Sequence, residues 1–375
     1  MQTPATQDYL VIVSNAADGD LSTFRLDAAN ARLAPLGRQP AGEAVMPLAR
    51  PGALGAADTR VLYAATRGAQ PSLIEFSLDA LNGRLERRHA VSIDASFAYL
   101  ATDGAGRLLF GASYGENLLG VYSVERLRAG DGTPLQVIPE IPHAHAVIVS
   151  PDDRYAYVSS LGSDKVLACA IDAAHHDAPL RVIGTLALPA GFGPRHLRLS
   201  PCGGWLYVLS EFRSVVAAFR RDSASGALEP ARISERASVL AELVDGYARP
   251  HFSAPVQPDP KTLATLIWAA DIHVRPDGRF VYTSERTSSR LLVWRVDDDG
   301  SLRYAGFAST ETQPRGFRIT PDGRFLVACG ERSTQVALYA VDGPSGALER
   351  LGHGEGGHGA NWVEIVPLSA RPAAS

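Results

Sequence analysis

The amino-acid sequence predicts an all-β protein, a seven-bladed β-propeller built from four-stranded antiparallel blades. Three observations carry this. Alternating apolar runs bounded by Pro, Gly and Asp recur along the chain, which is the pattern of short antiparallel strands. Two successive segments, Asp271 to Leu302 and Arg315 to Leu348, share one order: strand, Pro-Asp-Gly-Arg turn, strand, polar loop, third strand ending in an acidic residue, turn, fourth strand. A four-strand unit repeating at roughly 45 residues marks a propeller blade.

The third-strand ending gives the count. It recurs at Asp27, Asp79, Glu125, Asp172, Asp222, Asp297 and Asp342, at spacings of 52, 46, 47, 50, 75 and 45 residues. The one irregular interval predicts an inserted loop at about 237–268. Its segment GYARPHFSAPVQPDPK reads as a long loop with at most a short helix, either a wall of a site or a surface excursion. The chain opens at Tyr9 with YLVIVSN, which reads as a second strand lacking its first, and closes with ANWVEIVPL, a first strand lacking its second. Both termini then share one blade and close the ring, removing exposed sheet edges. Residues 1–375 are thus read as a single propeller domain.

Composition narrows the function classes. A net charge of −4 with no basic run lacks the electrostatic footprint of a nucleic-acid binder. No window approaches the apolar length of a membrane span, and the first residues lack a charged segment followed by an apolar one. No membrane partner is therefore expected, and a cytoplasmic location is. Three widely spaced cysteines, Cys169, Cys202 and Cys329, fit a reducing compartment better than a disulfide framework. Oligomeric state is not readable.

The repeat also supplies a coordinate system. Six residues before the proline of each first-strand turn stand His145, Arg195, Ala270, Arg315 and Asn361. Innermost strands line a propeller channel, so these residues are expected near one end of it. The second strand returns to the same end, with terminal residues Asn15, Arg67, Tyr114, Leu161, Glu211, Arg286 and Glu331. The densest cluster comprises His143, His145, Arg195, His196, Glu211, Asp271, His273, Glu285, Arg286 and Arg315. Residues two apart in a strand share a face, so His143 and His145 are expected to point together, as are Asp271 and His273. A zinc site from His143, His145 and Glu211 has the right ligand types, but the adjacent arginines oppose a cation, and no metal or other cofactor is expected. Arginines with few competing lysines point instead to an anionic small molecule, because the guanidinium fork matches carboxylate and phosphate.

At these residues the chain resembles a known family. WAADIHVRPDGRFVYTSERT, TETQPRGF, GPRHLRLSP and HAHAVIVSPDDRYAYV are similar to motifs of the seven-bladed propeller lactonases, whose bacterial members include 6-phosphogluconolactonases and whose fungal relatives include carboxymuconate-lactonizing enzymes. The resemblance covers nearly the whole chain, is most specific from Trp268 to Gly330 and is weakest before Tyr99. It implies hydrolysis of a sugar-acid lactone, with His145, Arg195 and Glu211 in the catalytic positions. His143, His196, Asp271, His273, Arg286 and Arg315 are the expected substrate contacts. Two departures stand out: the turns PGALGAADTR and TDGAGR of the early blades, and the insertion. Three functions follow from this stage: a lactonase for 6-phosphogluconolactone; a lactonase for unphosphorylated aldono- or aldarolactones, or a carboxymuconate-type cycloisomerase; and a non-catalytic interaction scaffold, which fold alone permits.

Overall fold

The computed structural model describes residues 7–52, 60–79, 81–172, 175, 177–248 and 258–368. Seven four-stranded antiparallel sheets are arranged as blades. Numbered from the closing blade, their innermost strands are Ala360–Pro367, Leu48–Ala49, Tyr99–Thr102, Ala144–Val149, Pro194–Leu199, Ala269–Val274 and Pro314–Ile319. Blade 1 is assembled from both ends of the chain: Ala360–Pro367 pairs with Tyr9–Asn15, which continues to Asp20–Asp27 and Arg32–Pro40.

Local chemistry explains why the repeat folds this way. The acidic residue ending a third strand folds back on the turn that follows: Asp27 Oδ1 accepts from the amides of Ala29 and Asn30, Asp222 Oδ1 from Ala224, and Asp342 Oδ1 from Ser345. A short carboxylate satisfying nearby amides is what favours Asp at such turns. Blade 3 departs from the expectation. Its third strand stops at Ser123, whose hydroxyl caps the short helix Val124–Arg128, and Glu125 lies in that helix. In the Pro-Asp-Gly-Arg turns, Gly278 and Gly323 adopt φ of +73° and +72°, a region glycine enters without steric cost.

Apolar faces of adjacent blades pack together, and buried tyrosines tie one blade to the next. The hydroxyl of Tyr157 donates to the Gly226 carbonyl at 2.9 Å, and Tyr282 donates to Gly346 at 2.9 Å. Each tyrosine buries its ring while its polar tip keeps a partner. Cys169 and Cys329 are buried and Cys202 is exposed, all three unpaired. The insertion contributes a 3₁₀ turn, Ser238–Leu240, and a short helix, Pro260–Leu263. It packs Leu266 and Trp268 against Phe212 and Leu161. The middle of GYARPHFSAPVQPDPK, 249–257, lies outside the described residues.

One irregularity recurs and matters most for function. In five blades the innermost strand carries one extra residue near its start relative to its partner. The register skips His145 between Ala144 and Ala146, Arg315 between Pro314 and Gly316, and Asn361 between Ala360 and Trp362. It also steps from Pro194 to Leu197 past Arg195 and His196, and from Ala269 to Ile272 past Ala270 and Asp271. These are β-bulges, which re-aim a side chain. A serine on the second strand satisfies the displaced amide: Ser159 accepts from Ala146 N and Ser284 from Asp271 N, each at 3.0 Å.

Ring closure gives a stability prediction. Ile365, 4% exposed, packs into the core shared by the first and last strands of the chain. Ile365→Ala is expected to cost about 2–5 kcal/mol, read as a lower denaturant midpoint at unchanged slope. An unchanged midpoint would show that the terminal strand contributes nothing to the closed ring.

Candidate active site

The bulges feed a polar cavity of about 560 Å³ at one end of the channel. Its wall includes Arg67, Asp94, Ser96, Tyr114, Glu116, His145, Arg195, Glu211, Phe212, Arg286 and Arg315. Of the residues singled out in the sequence, His145, Arg195, Glu211, Arg286 and Arg315 all line it. The bulged strands of blades 4, 5 and 7 supply His145, Arg195 and Arg315. Glu211 and Arg286 directly follow the second strands of blades 5 and 6, Trp205–Ser210 and Phe280–Glu285.

Charge pairing organises this wall. Glu211 is shared between two guanidiniums: Arg286 Nη2 donates to Oε1, and Arg195 Nε lies 3.5 Å from Oε2. Arg286 also donates Nε to the Trp268 carbonyl at 2.9 Å, and Arg195 Nη1 donates to the Ala270 carbonyl. Arg315 Nη1 donates to Glu331 at 2.7 Å. Arg67 differs. Its Nη1 approaches Met46 Sδ at 3.1 Å, and among the described residues no carboxylate lies within ion-pair distance of it.

Burial and neighbouring charge set the protonation states. Burial, then the neighbouring positive charge of Arg195, Arg315 and Arg286, holds His145 well below the ordinary imidazole value of 6.5, so it is neutral at pH 7. Arg195 is lowered to about 9, chiefly by burial and against the attraction of Glu211. Burial raises the Glu211 carboxyl, but Arg286 and Arg195 outweigh it and the net shift is downward. Glu211 is therefore an ionised counter-ion at neutral pH.

Four expected substrate contacts, His143, His196, Asp271 and His273, do not line this cavity. His143 lies outside the strand at φ +49°. Its ring stacks on Tyr114 with centroids 4.2 Å apart, and its amide donates to Asn117. The rule that residues two apart share a face fails because the bulge falls at His145. His196, Asp271 and His273 sit behind the cavity wall as one buried cluster. His196 Nδ1 is 2.8 Å from Asp271 Oδ1, and His273 Nε2 is 3.2 Å from Asp271 Oδ2. Asp271 and His273 do point together, but toward each other. Arg198, packed beside them, donates to the Tyr99 hydroxyl and lies 3.9 Å from Asp271. Glu285 is spent on backbone amides of Trp268, Thr287 and Ser288, and Asn361 bonds Ser14 and Gly359.

Asp94, Ser96 and Glu116 belong to the wall without having been singled out. They come from the short connections of blades 2 and 3, where the repeat is least regular; Arg67 and Tyr114 were visible as second-strand ends. Among the described residues no group of three His, Cys, Asp or Glu side chains is arranged to hold a metal ion, and no helix is long and apolar enough to cross a membrane.

Comparison with known proteins agrees with this architecture. The family described as "Lactonase, 7-bladed beta-propeller" matches residues 7–365. A 6-phosphogluconolactonase of Cronobacter sakazakii is 31% identical over 317 residues, covering 84% of this chain and 86% of its own. One of Enterobacter sp. is 32% identical over 313 residues, covering 82% and 86%. The periplasmic gluconolactonase of Pseudomonas aeruginosa superposes with a TM-score of 0.78 at 25% identity, covering 96% of this chain and all of its own. The chain belongs to the seven-bladed β-propeller lactonase family and is a lactone-hydrolysing carboxylic-ester hydrolase.

Proposed function

We propose that the substrate is a sugar-acid lactone bearing a distal anionic group, 6-phosphogluconolactone being the best fit. The observation that carries this is the position of Arg67, a cavity guanidinium without a carboxylate partner among the described residues, on blade 2 and away from the His145, Arg195 and Glu211 cluster of blades 4 and 5. Arg286 and Arg315 are each neutralised by a glutamate, which leaves Arg67 as the anchor for the phosphate. The names of the bacterial relatives agree with this substrate. The three unpaired cysteines support a cytoplasmic setting.

The roles of the wall residues follow from their protonation. His145, neutral and lining the cavity, removes a proton from water as the water attacks the lactone carbonyl. The developing oxyanion is met by the Arg195 guanidinium. Collapse of the tetrahedral intermediate breaks the ring C–O bond, and the imidazolium returns its proton to the leaving oxygen. The products are a free hydroxyl and a carboxylic acid, which ionises to the carboxylate by releasing its proton to solvent. Glu211 is a weak candidate for the base, since its charge is already engaged by two arginines; its part is to keep Arg195 ionised and fixed. Donors fixed before reaction cost no reorganisation when charge develops.

Three measurements test this. In a hydrolysis panel corrected for spontaneous opening, His145→Ala is expected to lower kcat about 10²- to 10⁴-fold and Arg195→Ala about 10²- to 10³-fold, with circular dichroism unchanged. Wild-type turnover in either variant removes that residue from the mechanism. Arg67→Gln is expected to lower kcat/KM about 10- to 100-fold on the phosphorylated lactone, through loss of a charged contact, and to leave gluconolactone hydrolysis nearly unchanged. Equal losses on both substrates, or faster wild-type hydrolysis of gluconolactone, would move the reading to an unphosphorylated lactone. The pH profile of kcat/KM has a worked sign. His145 is neutral above its lowered value and becomes charged only as pH falls through it, so the acid limb lies below 6.5. Arg195 is charged below about 9 and loses its proton above it, so the alkaline limb lies near 9. An acid limb at or above 6.5 would contradict the assignment of His145.

A further inference from the structure

Two ring nitrogens behind the cavity wall are buried and have no hydrogen-bond partner among the described residues: His145 Nδ1 and His196 Nε2. Leaving such an atom unsatisfied costs about 1–3 kcal/mol, so a pair of them on neighbouring rings calls for an account. The imidazoles are 5.3 Å apart between centroids at an angle of 64°. No bond joins them in this structure, but that separation lets the two nitrogens, turned toward each other, come within reach of a direct hydrogen bond.

The direction of the bonds is dictated from below. Asp271 is 6% exposed and accepts from the amides of Ile272 and Phe317 as well as facing two imidazoles. Burial raises its carboxyl, yet contacts with His273 and His196 hold it well below the usual carboxylate range, so it is an anion and accepts only. His196 Nδ1, at 2.8 Å, must then be the donor. A neutral imidazole with its proton on Nδ1 carries a lone pair on Nε2. His196 is held neutral, its value lowered to about 3 by burial and by Arg195. Its orphan Nε2 is thus an acceptor, and the matching donor is Nδ1–H of His145. With Nδ1 protonated and buried, the lone pair of His145 is on Nε2, the ring edge left for the cavity that His145 lines.

We propose that Asp271 and His196 are positioning residues that fix His145 in the tautomer whose Nε2 lone pair faces the substrate, through a relay running from the Asp271 carboxylate through His196 to His145. No proton passes down the relay. It orients the base, and the Asp271 charge adds to that of Glu211 in offsetting the transient imidazolium beside Arg195, Arg286 and Arg315. This rests on His145 acting as the base in lactone hydrolysis.

Nitrogen-15 spectroscopy of the histidine-labelled full-length enzyme tests it directly, with His145 signals identified by their loss in His145→Gln. The wild-type expectation is a neutral His145 protonated on Nδ1; protonation on Nε2 overturns the proposal whatever the activity. His196→Phe keeps the aromatic packing on Tyr99 and Trp362 but cannot accept a bond. It is expected to release His145 into a mixture of tautomers and to lower kcat about 10-fold with KM unchanged. Asp271→Asn, which can donate where Asp271 accepts, is expected to shift His145 toward Nε2 protonation with a similar or larger loss of kcat; if that variant fails to fold, His196→Phe and the wild-type spectrum still decide. An unchanged tautomer and unchanged kcat in folded His196→Phe would sink the relay while leaving the lactonase reading intact. Failure of the wild-type enzyme to open any lactone would sink the lactonase reading, and the wild-type tautomer would still judge the relay.

Discussion

The extra residue at the start of the innermost strand is the constraint on which the site depends. A regular strand alternates its side chains between the two faces of the sheet, and here both faces are packed against neighbouring blades. A bulge releases one residue from that alternation. His145, Arg195 and Arg315 are such residues, and all three line the cavity. Below the bulge the strand resumes its pairing and the blade packs as any other. The propeller can thus host a cluster of cations without placing them between sheets, where unpaired charge is most costly.

Holding arginines together in a largely buried wall raises an electrostatic problem that the fold meets with shared carboxylates. Glu211 spans Arg195 and Arg286 across two blades, and Glu331 holds Arg315 within one. Burial, with repulsion from Arg286 and Arg315, still outweighs the attraction of Glu211 and lowers Arg195 to about 9. The pairing fixes the guanidiniums before substrate arrives, which is the condition for electrostatic stabilisation without reorganisation. It also separates the two acid–base candidates that residue types alone left open: a carboxylate between two guanidiniums is a poor proton acceptor, whereas the adjacent imidazole is neutral.

Much of this was readable in the sequence because a repeat superposes its own positions. Pro-Asp-Gly-Arg turns and acidic third-strand ends located seven blades, the shared terminal blade and the insertion, and the register brought His145, Arg195, Glu211, Arg286 and Arg315 to one cavity. The bulge was not readable, since it is a difference in residue count between paired strands. Counting by twos across it put His143 beside His145, and grouping the polar residues near each bulged position drew His196, Asp271 and His273 into the expected site. The serine that satisfies the bulged amide, Ser159 or Ser284, is the sequence signal that could have marked it. Asp94, Ser96 and Glu116 escaped for another reason: blades 2 and 3 have short first strands, Leu48–Ala49 and Tyr99–Thr102, too brief for the repeat to set their register.

The layer beneath the wall completes the argument. Glu211 in the wall is paired with two arginines, but Asp271 is held mainly by two histidines, with Arg198 at 3.9 Å. An arginine in bonding contact there would cancel the Asp271 charge and could never accept a bond from above. A neutral histidine passes the influence of the anion upward as a fixed lone pair, and does so only because Asp271 stays ionised in the dry interior. Blade 5 supplies His196 one residue after Arg195, and blade 6 supplies Asp271 one residue after Ala270, both within bulges. The distortion that turns Arg195 into the cavity therefore also turns its neighbour into the layer below, so one backbone irregularity sets both the proposed oxyanion donor and the proposed support of the base.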